Sequence, residues 1–342
     1  MAGTLRRRYL LIAIAALVAA GAVVGVLFVA DAPRRAVVPA RQWQDAQTNR
    51  QIYPGGLWVN PDSLPAAEAG HLRSAGQSGA AAAAATIAEQ PIATWLTEST
   101  PVARLKVQLD DDLAEARANR TTPVFVTYAI PDRDCGDYSA GGFRDVQSYV
   151  EWNAMIASRL RGHPAVVLIE PDSIAMLGRA ACSAVNDSRL AVLRTVVRQY
   201  ARDHVDVYLD GGNSHWQSAK TMATRLRKAG VTYARGFFTN VSNFYGVDPE
   251  RSYANRLSAL VGDKHFVIDV SRDGAGSRGS WCNPEGAALG QNPHVTAGTT
   301  GLDALLWVKT PGASDGTCNG GPSAGQWFQS YALALVDNRA KD

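Results

Sequence analysis

The amino-acid sequence predicts an α/β fold in which parallel strands close, or nearly close, into a β/α barrel. Short runs rich in Val, Ile, Phe and Tyr alternate with longer amphipathic runs rich in Arg and Ala, which is typical of βαβ units and a parallel sheet. Polar residues, many of them carboxylates, follow most of the short apolar runs directly. The first turn carries no nucleotide-binding fingerprint and no repeat of fixed length is visible, so a barrel is favoured.

The predicted elements begin with a helix that starts in the alanine run at residues 80–85 and leads towards Ile92, Trp95 and Leu96. Apolar runs further along the chain are the predicted strands, at residues 124–130, 165–169, 205–209, 236–239, 265–270 and 305–308. Amphipathic segments between them are the predicted helices, among them residues 146–160, 186–203 and 218–229. Strands and helices thus alternate through most of the chain.

The composition is that of a globular protein with an uncharged partner. Hydrophobic residues make up 46% of the chain and charged residues 19%, far from the balance of disordered chains. Most of the formal net charge of +3 comes from the arginines at residues 6–8, so the remainder lacks the basic stripe expected for nucleic-acid binding. The histidines are scattered and no CxxC or HExxH pattern occurs, so we predict no metal and no cofactor. We expect a monomer that binds a neutral ligand.

The amino terminus predicts export. Three arginines precede an uncharged, mostly apolar stretch at residues 9–30, and Ala30-Asp31-Ala32 has the small-x-small form of a cleavage site. The stretch is also long enough to cross a bilayer, so residues 1–32 are either a signal peptide or a signal anchor. Residues 33–51 are a predicted linker and residues 52–342 a single domain. That domain is expected to be secreted, or anchored to the outer face of the cytoplasmic membrane by a transmembrane segment.

Polar groups that follow the predicted strands are expected to share one mouth of the barrel, because parallel barrel strands all end at the same face. These groups include Asp134, Glu170, Asp172, Asp210, Asn240, Asp269 and Lys309. Carboxylates gathered in one cleft make one another's ionisation more costly, which keeps an acid protonated near neutral pH. The mouth is therefore the predicted active site.

The four cysteines are expected to form two disulfides, because an exported chain matures in oxidising surroundings. Four cysteines allow three connectivities. The local pairs Cys135–Cys182 and Cys282–Cys318 are favoured, since each pair joins two segments that the barrel places at the same rim.

Seven motifs follow one another along the chain: Tyr128-Ala-Ile-Pro-Asp-Arg133-Asp134-Cys135, Ile169-Glu-Pro-Asp172-Ser, Tyr208-Leu-Asp210-Gly-Gly, Thr239-Asn240-Val-Ser-Asn243, Val270-Ser-Arg272-Asp-Gly, Trp281-Cys282-Asn283, and Trp307-Val-Lys309 leading to Ser314-Asp315-Gly316. In this order they resemble glycoside hydrolase family 6, the inverting cellulases that include endoglucanases and cellobiohydrolases. The resemblance implies a distorted, TIM-barrel-like fold of seven or eight parallel strands, with the active site at their carboxyl ends.

The resemblance assigns chemical roles to three aspartates. Asp172 matches the proton donor of the family, and Asp134 matches the aspartate that keeps the donor's pKa high and helps to organise the water. Asp315 matches the residue usually proposed as the base, although a relay through water is also proposed in the family. An inverting glycosidase needs its acid and base about 6.5–9.5 Å apart, with room for a water between them. Loops from different strands would permit that spacing.

The resemblance also implies which residues contact substrate. They are Tyr128, Ser139, Trp58, Asp210, Trp216, Asn240, Trp281 and Lys309. Tyr128 is expected beneath the distorted sugar and Ser139 beside the water. The three tryptophans match stacking platforms, since an aromatic face fits the apolar face of a pyranose. Trp95, in contrast, lies on a helical pattern and is expected in the core.

The predicted function is hydrolysis of internal β-1,4-glucosidic bonds of cellulose or a related β-glucan, with inversion of anomeric configuration. Endo action is expected because residues 273–325 contain no large insertion that would roof the cleft. The alternatives are exo action of the cellobiohydrolase type and a catalytically weak glucan-binding protein on the same scaffold. Three departures from the family's pattern, Gly142, Asn213 and Ala313, motivate the second alternative, whereas the three aspartates argue against it.

Overall fold

The computed structural model describes residues 48–186, 188–297 and 301–339. The predicted signal peptide or signal anchor at residues 1–32 lies outside these ranges, as do residues 33–47 of the predicted linker. Over the ranges that are described, no helix has both the length and the apolar character needed to cross a membrane.

One sheet of eight strands forms the centre of the fold. The strands are β1 Thr94–Leu96, β2 Val124–Thr127, β3 Val166–Ile169, β4 Asp206–Asp210, β5 Gly236–Thr239, β6 His265–Asp269, β7 His294–Val295 and β8 Leu302–Leu306. Their order is β1-β2-β3-β4-β5-β6-β8-β7, and the short β7 pairs antiparallel with β8 while the other seven strands are parallel. Ala93 donates its N–H to the carbonyl of Trp307 at 2.9 Å, so the seven parallel strands nearly close a ring. The predicted distorted barrel is confirmed.

The helices of the described residues lie mostly between successive strands. They are α1 Asn49–Ile52, α2 Leu64–Ser74, α3 Ser78–Ala88, α4 Val102–Asn119, α5 Val146–Leu160, α6 Arg189–Arg202, α7 Ala219–Ala229, α8 Val247–Leu260 and α9 Gln329–Asp337. Helix α5 has the predicted bounds: the Asp145 side chain caps it by accepting the Ser148 N–H at 2.7 Å. Its buried residues Trp152 and Ile156 recur at helical spacing.

Several predicted elements have different bounds in the structure, and two of these differences have a cause in the sequence. Helix α3 ends at Ala88 instead of continuing to Trp95, because Pro91 lacks the N–H that a helix requires. Trp95 consequently lies on β1. Strand β8 begins at Leu302, three residues before the predicted start. The prediction began too late because Asp303 interrupts the apolar pattern of the sequence. Its carboxylate is buried and pairs with Arg235 through two contacts of 2.9 Å.

Alternate strand residues enter two different apolar clusters, as the period of two in a strand requires. Phe125 and Val167 belong to a cluster that includes the helices, whereas Val126, Leu168 and Tyr208 belong to a cluster on the other face of the sheet. Both faces of the central strands are therefore buried. The loops at the strand ends remain free to form a ligand site.

Candidate active site

A cleft of about 1060 Å³ opens at the carboxyl ends of the parallel strands. Its lining includes eight of the residues of interest: Tyr128, Asp134, Ser139, Asp172, Trp216, Trp281, Lys309 and Asp315. They come from the segments that follow β2, β3, β4, β6 and β8. Residues up to 187 positions apart in the sequence thus meet at one mouth, because parallel strands deliver their following loops to the same face.

Three other carboxylates at the strand ends are buried and hold the loops in place. Glu170 accepts the N–H groups of Ala129 and Ile130 at 3.0 and 3.1 Å. Asp269 accepts the N–H groups of Val308 and Lys309 at 3.2 and 3.0 Å. Such charge-assisted hydrogen bonds to backbone are strong and directional. These carboxylates therefore position the loops that carry the cleft residues.

Asp210 is the third of these buried carboxylates. It accepts N–H groups from Ile174 and Ala175, two and three residues after Asp172 in the chain, at 3.0 and 2.8 Å. Asn240 is also buried and donates its amide to the carbonyls of Tyr245 and Asp269 at 2.8 and 2.9 Å. The expectation that Asp210 and Asn240 bind sugar is thereby corrected, since neither lines the cleft and both are consumed by internal hydrogen bonds.

Asp172 lies on the loop after β3 and is partly exposed to the cleft. Its backbone is left-handed, with φ of 70°, and its carbonyl accepts the Met176 N–H at 2.9 Å. Burial raises the pKa of Asp172 well above its usual range, and the nearby Asp210 and Asp134 raise it further, against the opposing effect of Lys309. A carboxyl that keeps its proton in a cleft can act as a general acid.

Asp134 faces Asp172 from the loop after β2. Its Oδ2 accepts the Ser139 N–H at 2.7 Å, and its backbone has φ of 59°. Burial raises the pKa of Asp134, although the Ser139 hydrogen bond opposes that rise. The adjacent Cys135 is bonded to Cys182, so a disulfide fixes this loop beside the loop that carries Asp172.

Asp315 lies on the loop after β8 in a different electrostatic setting. Its Oδ2 accepts hydrogen bonds from Arg272 at 2.7 Å and from the Asn283 N–H at 3.0 Å, and its Oδ1 lies 3.0 Å from Lys309 Nζ. Burial alone would raise its pKa, but Arg272 and Lys309 outweigh burial and lower the pKa of Asp315 to about 2. Asp315 is therefore ionised wherever the protein is folded at ordinary pH.

The aromatic residues of the cleft differ from those expected. Trp216 and Trp281 line it, whereas Trp58 is 3% exposed and does not, which corrects the prediction of a platform at Trp58. The Trp58 backbone N–H donates to the Thr122 carbonyl at 3.0 Å. Trp95, expected in the core, lines the cleft instead.

Trp95 is oriented by two contacts at the carboxyl end of β1. Its Nε1 donates to the Val308 carbonyl at 2.8 Å, and its ring meets the ring of Tyr128 edge to face at 5.1 Å. Pro91, which ends the preceding helix, together with the β-prone residues Thr94 and Trp95, was the signal in the sequence that could have placed this tryptophan on a strand.

The family model described as glycosyl hydrolases family 6 matches residues 54–339. The chain belongs to this family. Over 252 residues it is 42% identical to endoglucanase A of Cellulomonas fimi, covering 74% of this chain and 55% of that protein, so it spans about half of that relative's length. It is 39% identical to endoglucanase 1 of Streptomyces halstedii, covering 82% of this chain and 88% of that one.

Among solved structures, the endoglucanase Cel6 of Mycobacterium tuberculosis, in complex with methyl-cellobiosyl-4-deoxy-4-thio-β-D-cellobioside, matches with a TM-score of 0.76. The identity is 39%, and the match covers 82% of this chain and 96% of that one. The predicted family and the predicted enzyme class, a glycoside hydrolase, are confirmed.

The predicted disulfides of this family 6 chain, Cys135–Cys182 and Cys282–Cys318, are both present. Each joins two loops at the mouth, as the barrel arrangement requires. Across the described ranges, no group of three or more His, Cys, Asp or Glu side chains is arranged to hold a metal ion.

The three departures from the family 6 pattern have different structural settings. Ala313 and Asn213 line the cleft, so the smaller side chain at residue 313 leaves space there. Gly142 has φ of 96°, and a side chain on it would lie 1.9 Å from the Ile130 carbonyl oxygen. Its N–H donates to Glu98 at 2.8 Å, so glycine is required by this local backbone.

Proposed function

We propose that this family 6 enzyme is an endo-1,4-β-glucanase that hydrolyses internal bonds of cellulose or a related β-glucan with inversion. One observation carries the proposal: two carboxyl groups in the same cleft, Asp172 and Asp315, have pKa values displaced in opposite directions. Pairs of acids whose environments separate their pKa values divide the work of general acid and general base.

In the proposed reaction, the Asp172 carboxyl donates its proton to the glycosidic oxygen as the bond to the anomeric carbon breaks. A water attacks that carbon from the opposite face and loses a proton to Asp315, directly or through a second water. Asp134 keeps a negative charge near Asp172 and so favours its protonated form. One bond is broken, one is formed, and the anomeric configuration is inverted.

A polymeric substrate is supported by the size and lining of the cleft. Its volume of about 1060 Å³ lies just above the range for small-ligand pockets, roughly 300–1,000 Å³. Trp95 lies on β1, while Trp216 and Trp281 lie in the segments after β4 and β6, which suits stacking at several sugar units. The relatives named above are endoglucanases, and the mycobacterial one was solved with a thio-linked cellobioside derivative.

We also infer that the enzyme works outside the cell. Two disulfides at the rim require oxidising surroundings during folding, and the arginines followed by the apolar stretch at residues 9–30 support export.

The test is incubation of the protein with cellohexaose, followed by product analysis and proton NMR. We expect cleavage at internal bonds with the α-anomer appearing first at the new reducing end. Cellobiose and cellotetraose as the only early products would favour exo action, and binding without any product would favour the glucan-binding alternative. A first-formed β-anomer would exclude inversion. On a soluble cellulose derivative, endo action further predicts a steep fall in viscosity for each reducing end formed.

A further inference from the structure

We propose that Tyr138 and Trp281 form an aromatic bridge across the mouth of the barrel, and that this bridge must open before an internal stretch of glucan can enter. The two rings meet edge to face, with centroids 5.7 Å apart and planes at 67°. Both side chains line the cleft and are about half exposed, at 46% and 47%. The inference rests on the proposed endoglucanase function and adds how the polymer gains access.

The topology places these two residues on opposite sides of the mouth. Tyr138 lies in the segment after β2, and Trp281 lies in the segment after β6. In the ring of parallel strands, three strands separate β2 from β6 on one side and two separate them on the other. Segments from neighbouring strands would meet along the rim, but segments from strands so far apart meet over the opening. The ring contact therefore crosses the path of a chain lying in the cleft.

A second contact of Tyr138 strengthens this arrangement. A side chain on Gly316 would place its first carbon 2.5 Å from Cδ1 of Tyr138, so the tyrosine ring sits directly on the backbone beside Asp315. Tyr138 thus connects the segment that carries Asp134 with two segments on the far side of the cleft. The absence of a long insertion after residue 273 does not leave this part of the cleft open.

The bridge is a single ring contact between two segments that disulfides anchor. Tyr138 lies three residues after Cys135, and Trp281 directly precedes Cys282, so a disulfide anchors each segment near its ring. The free energy of an aromatic pair corresponds to only about a 2- to 12-fold change in an equilibrium. Because apparent affinity scales with the open fraction, removing the ring should tighten polymer binding by about that factor.

Binding measurements on the full chain carrying Asp172→Asn, which blocks turnover, test the bridge. Titration calorimetry would compare carboxymethyl cellulose with cellohexaose for this protein, for Tyr138→Ala and for Tyr138→Phe in the same background. We expect Tyr138→Ala to lower the apparent Kd for the polymer by about 2- to 12-fold, and cellohexaose, which can enter from its end, to bind no more tightly. Tyr138→Phe keeps the ring contact and should bind both ligands like the Asp172→Asn protein.

An unchanged polymer affinity in Tyr138→Ala would overturn the bridge and leave the proposed function standing. The bridge would also be overturned if Tyr138→Phe lowered the apparent Kd for the polymer as much as Tyr138→Ala does. An equal fall in the apparent Kd for polymer and for cellohexaose would overturn it as well, since the ring would then not govern entry of internal stretches. Failure of all three proteins to bind either glucan would instead overturn the proposed function, and the bridge with it.

Discussion

On the side of the cleft formed after β2 and β3, Asp134 and Asp172 lie among other carboxylates, whereas Asp315, on the side formed after β8, lies between two cations. Burial acts in the same direction at all three, yet the pKa is raised for Asp172 and lowered to about 2 for Asp315. The difference comes from Arg272 and Lys309, which oppose the effect of burial at Asp315. A buried carboxyl is therefore kept neutral or ionised by the charges that the fold places beside it.

This comparison bears on the mechanism as well. A general base works best when its pKa is near the operating pH, and a pKa of about 2 makes Asp315 a weak proton acceptor. Asp315 stays ionised, but it is a weak base while Arg272 and Lys309 contact it. A relay through a second water, or a shift of Lys309 towards sugar hydroxyls on binding, would fit this setting better than direct proton abstraction.

The largest expected effect is at the acid side. Asp172→Ala should lower kcat on cellohexaose by about 10²–10⁴-fold, because a positioned acid contributes that much to the rate. Steady-state kinetics would measure it, with Asp337→Ala, an exposed carboxylate on α9, as the matched control expected to keep wild-type activity. Near-normal activity of Asp172→Ala would show that Asp172 is not the general acid.

The next effect is at the base side. Arg272→Met should lower the free energy of unfolding by about 3–5 kcal/mol, because Asp315 then loses one partner of a buried ion pair. Urea denaturation would measure it, and Arg251→Met, at an exposed position on α8, serves as the control. If Arg272→Met were as stable as the control, the two cations would not be responsible for the difference in pKa between Asp172 and Asp315.

A smaller effect concerns the alkaline limb of the pH–rate profile. Activity should fall as pH rises through the raised pKa of Asp172, because the proton of the acid is then lost. Asp134 is one of the carboxylates that raise this pKa, so Asp134→Asn should move the alkaline limb of kcat/KM to lower pH. Profiles recorded from pH 4 to pH 9 would reveal the shift, and an unchanged limb would show that Asp134 does not act on Asp172 by its charge.

The smallest effect is on stability in acid. The folded pKa of Asp315, about 2, lies below its ordinary value of 3.8, so its contribution to stability is complete above pH 3.8 and is lost as pH falls towards 2. The difference in free energy of unfolding between the wild type and Asp315→Asn should therefore be constant above about pH 4 and shrink below it. Denaturation curves at pH 7, 4 and 3 would measure this. A difference in free energy of unfolding that grows as the pH falls would contradict a lowered pKa of Asp315.

The sequence was informative about elements with strong periodic patterns and less so about the direction in which polar side chains point. The bounds of α5 follow from an apolar stripe with an aspartate at its start, both local features. In contrast, Asp172 closely follows one buried strand and Asp210 ends another, and the sequence pattern cannot distinguish their roles. One lines the cleft, while the other accepts backbone N–H groups of a loop 35 residues away, a contact that exists only once the strands are paired.

The tryptophans show the same limit. Trp58 and Trp95 exchange their expected places, because whether an indole is buried depends on which segments pair around it. Trp58 is drawn in by the backbone contact with Thr122, and Trp95 is brought to the mouth by β1. Motif order identified the family and the three cleft aspartates, but the tertiary contacts decide which neighbouring residues reach the substrate.

The account depends most on the opposite protonation of Asp172 and Asp315, and carbon-13 NMR of labelled aspartate carboxyls measures this directly. Spectra of the wild type, Asp172→Asn and Asp315→Asn over a range of pH would assign both signals by difference. We expect the Asp172 signal to titrate well above the ordinary aspartate range, and the Asp315 signal to remain that of a carboxylate down to about pH 2. Two signals that titrate together near the ordinary value of 3.8 would contradict the account.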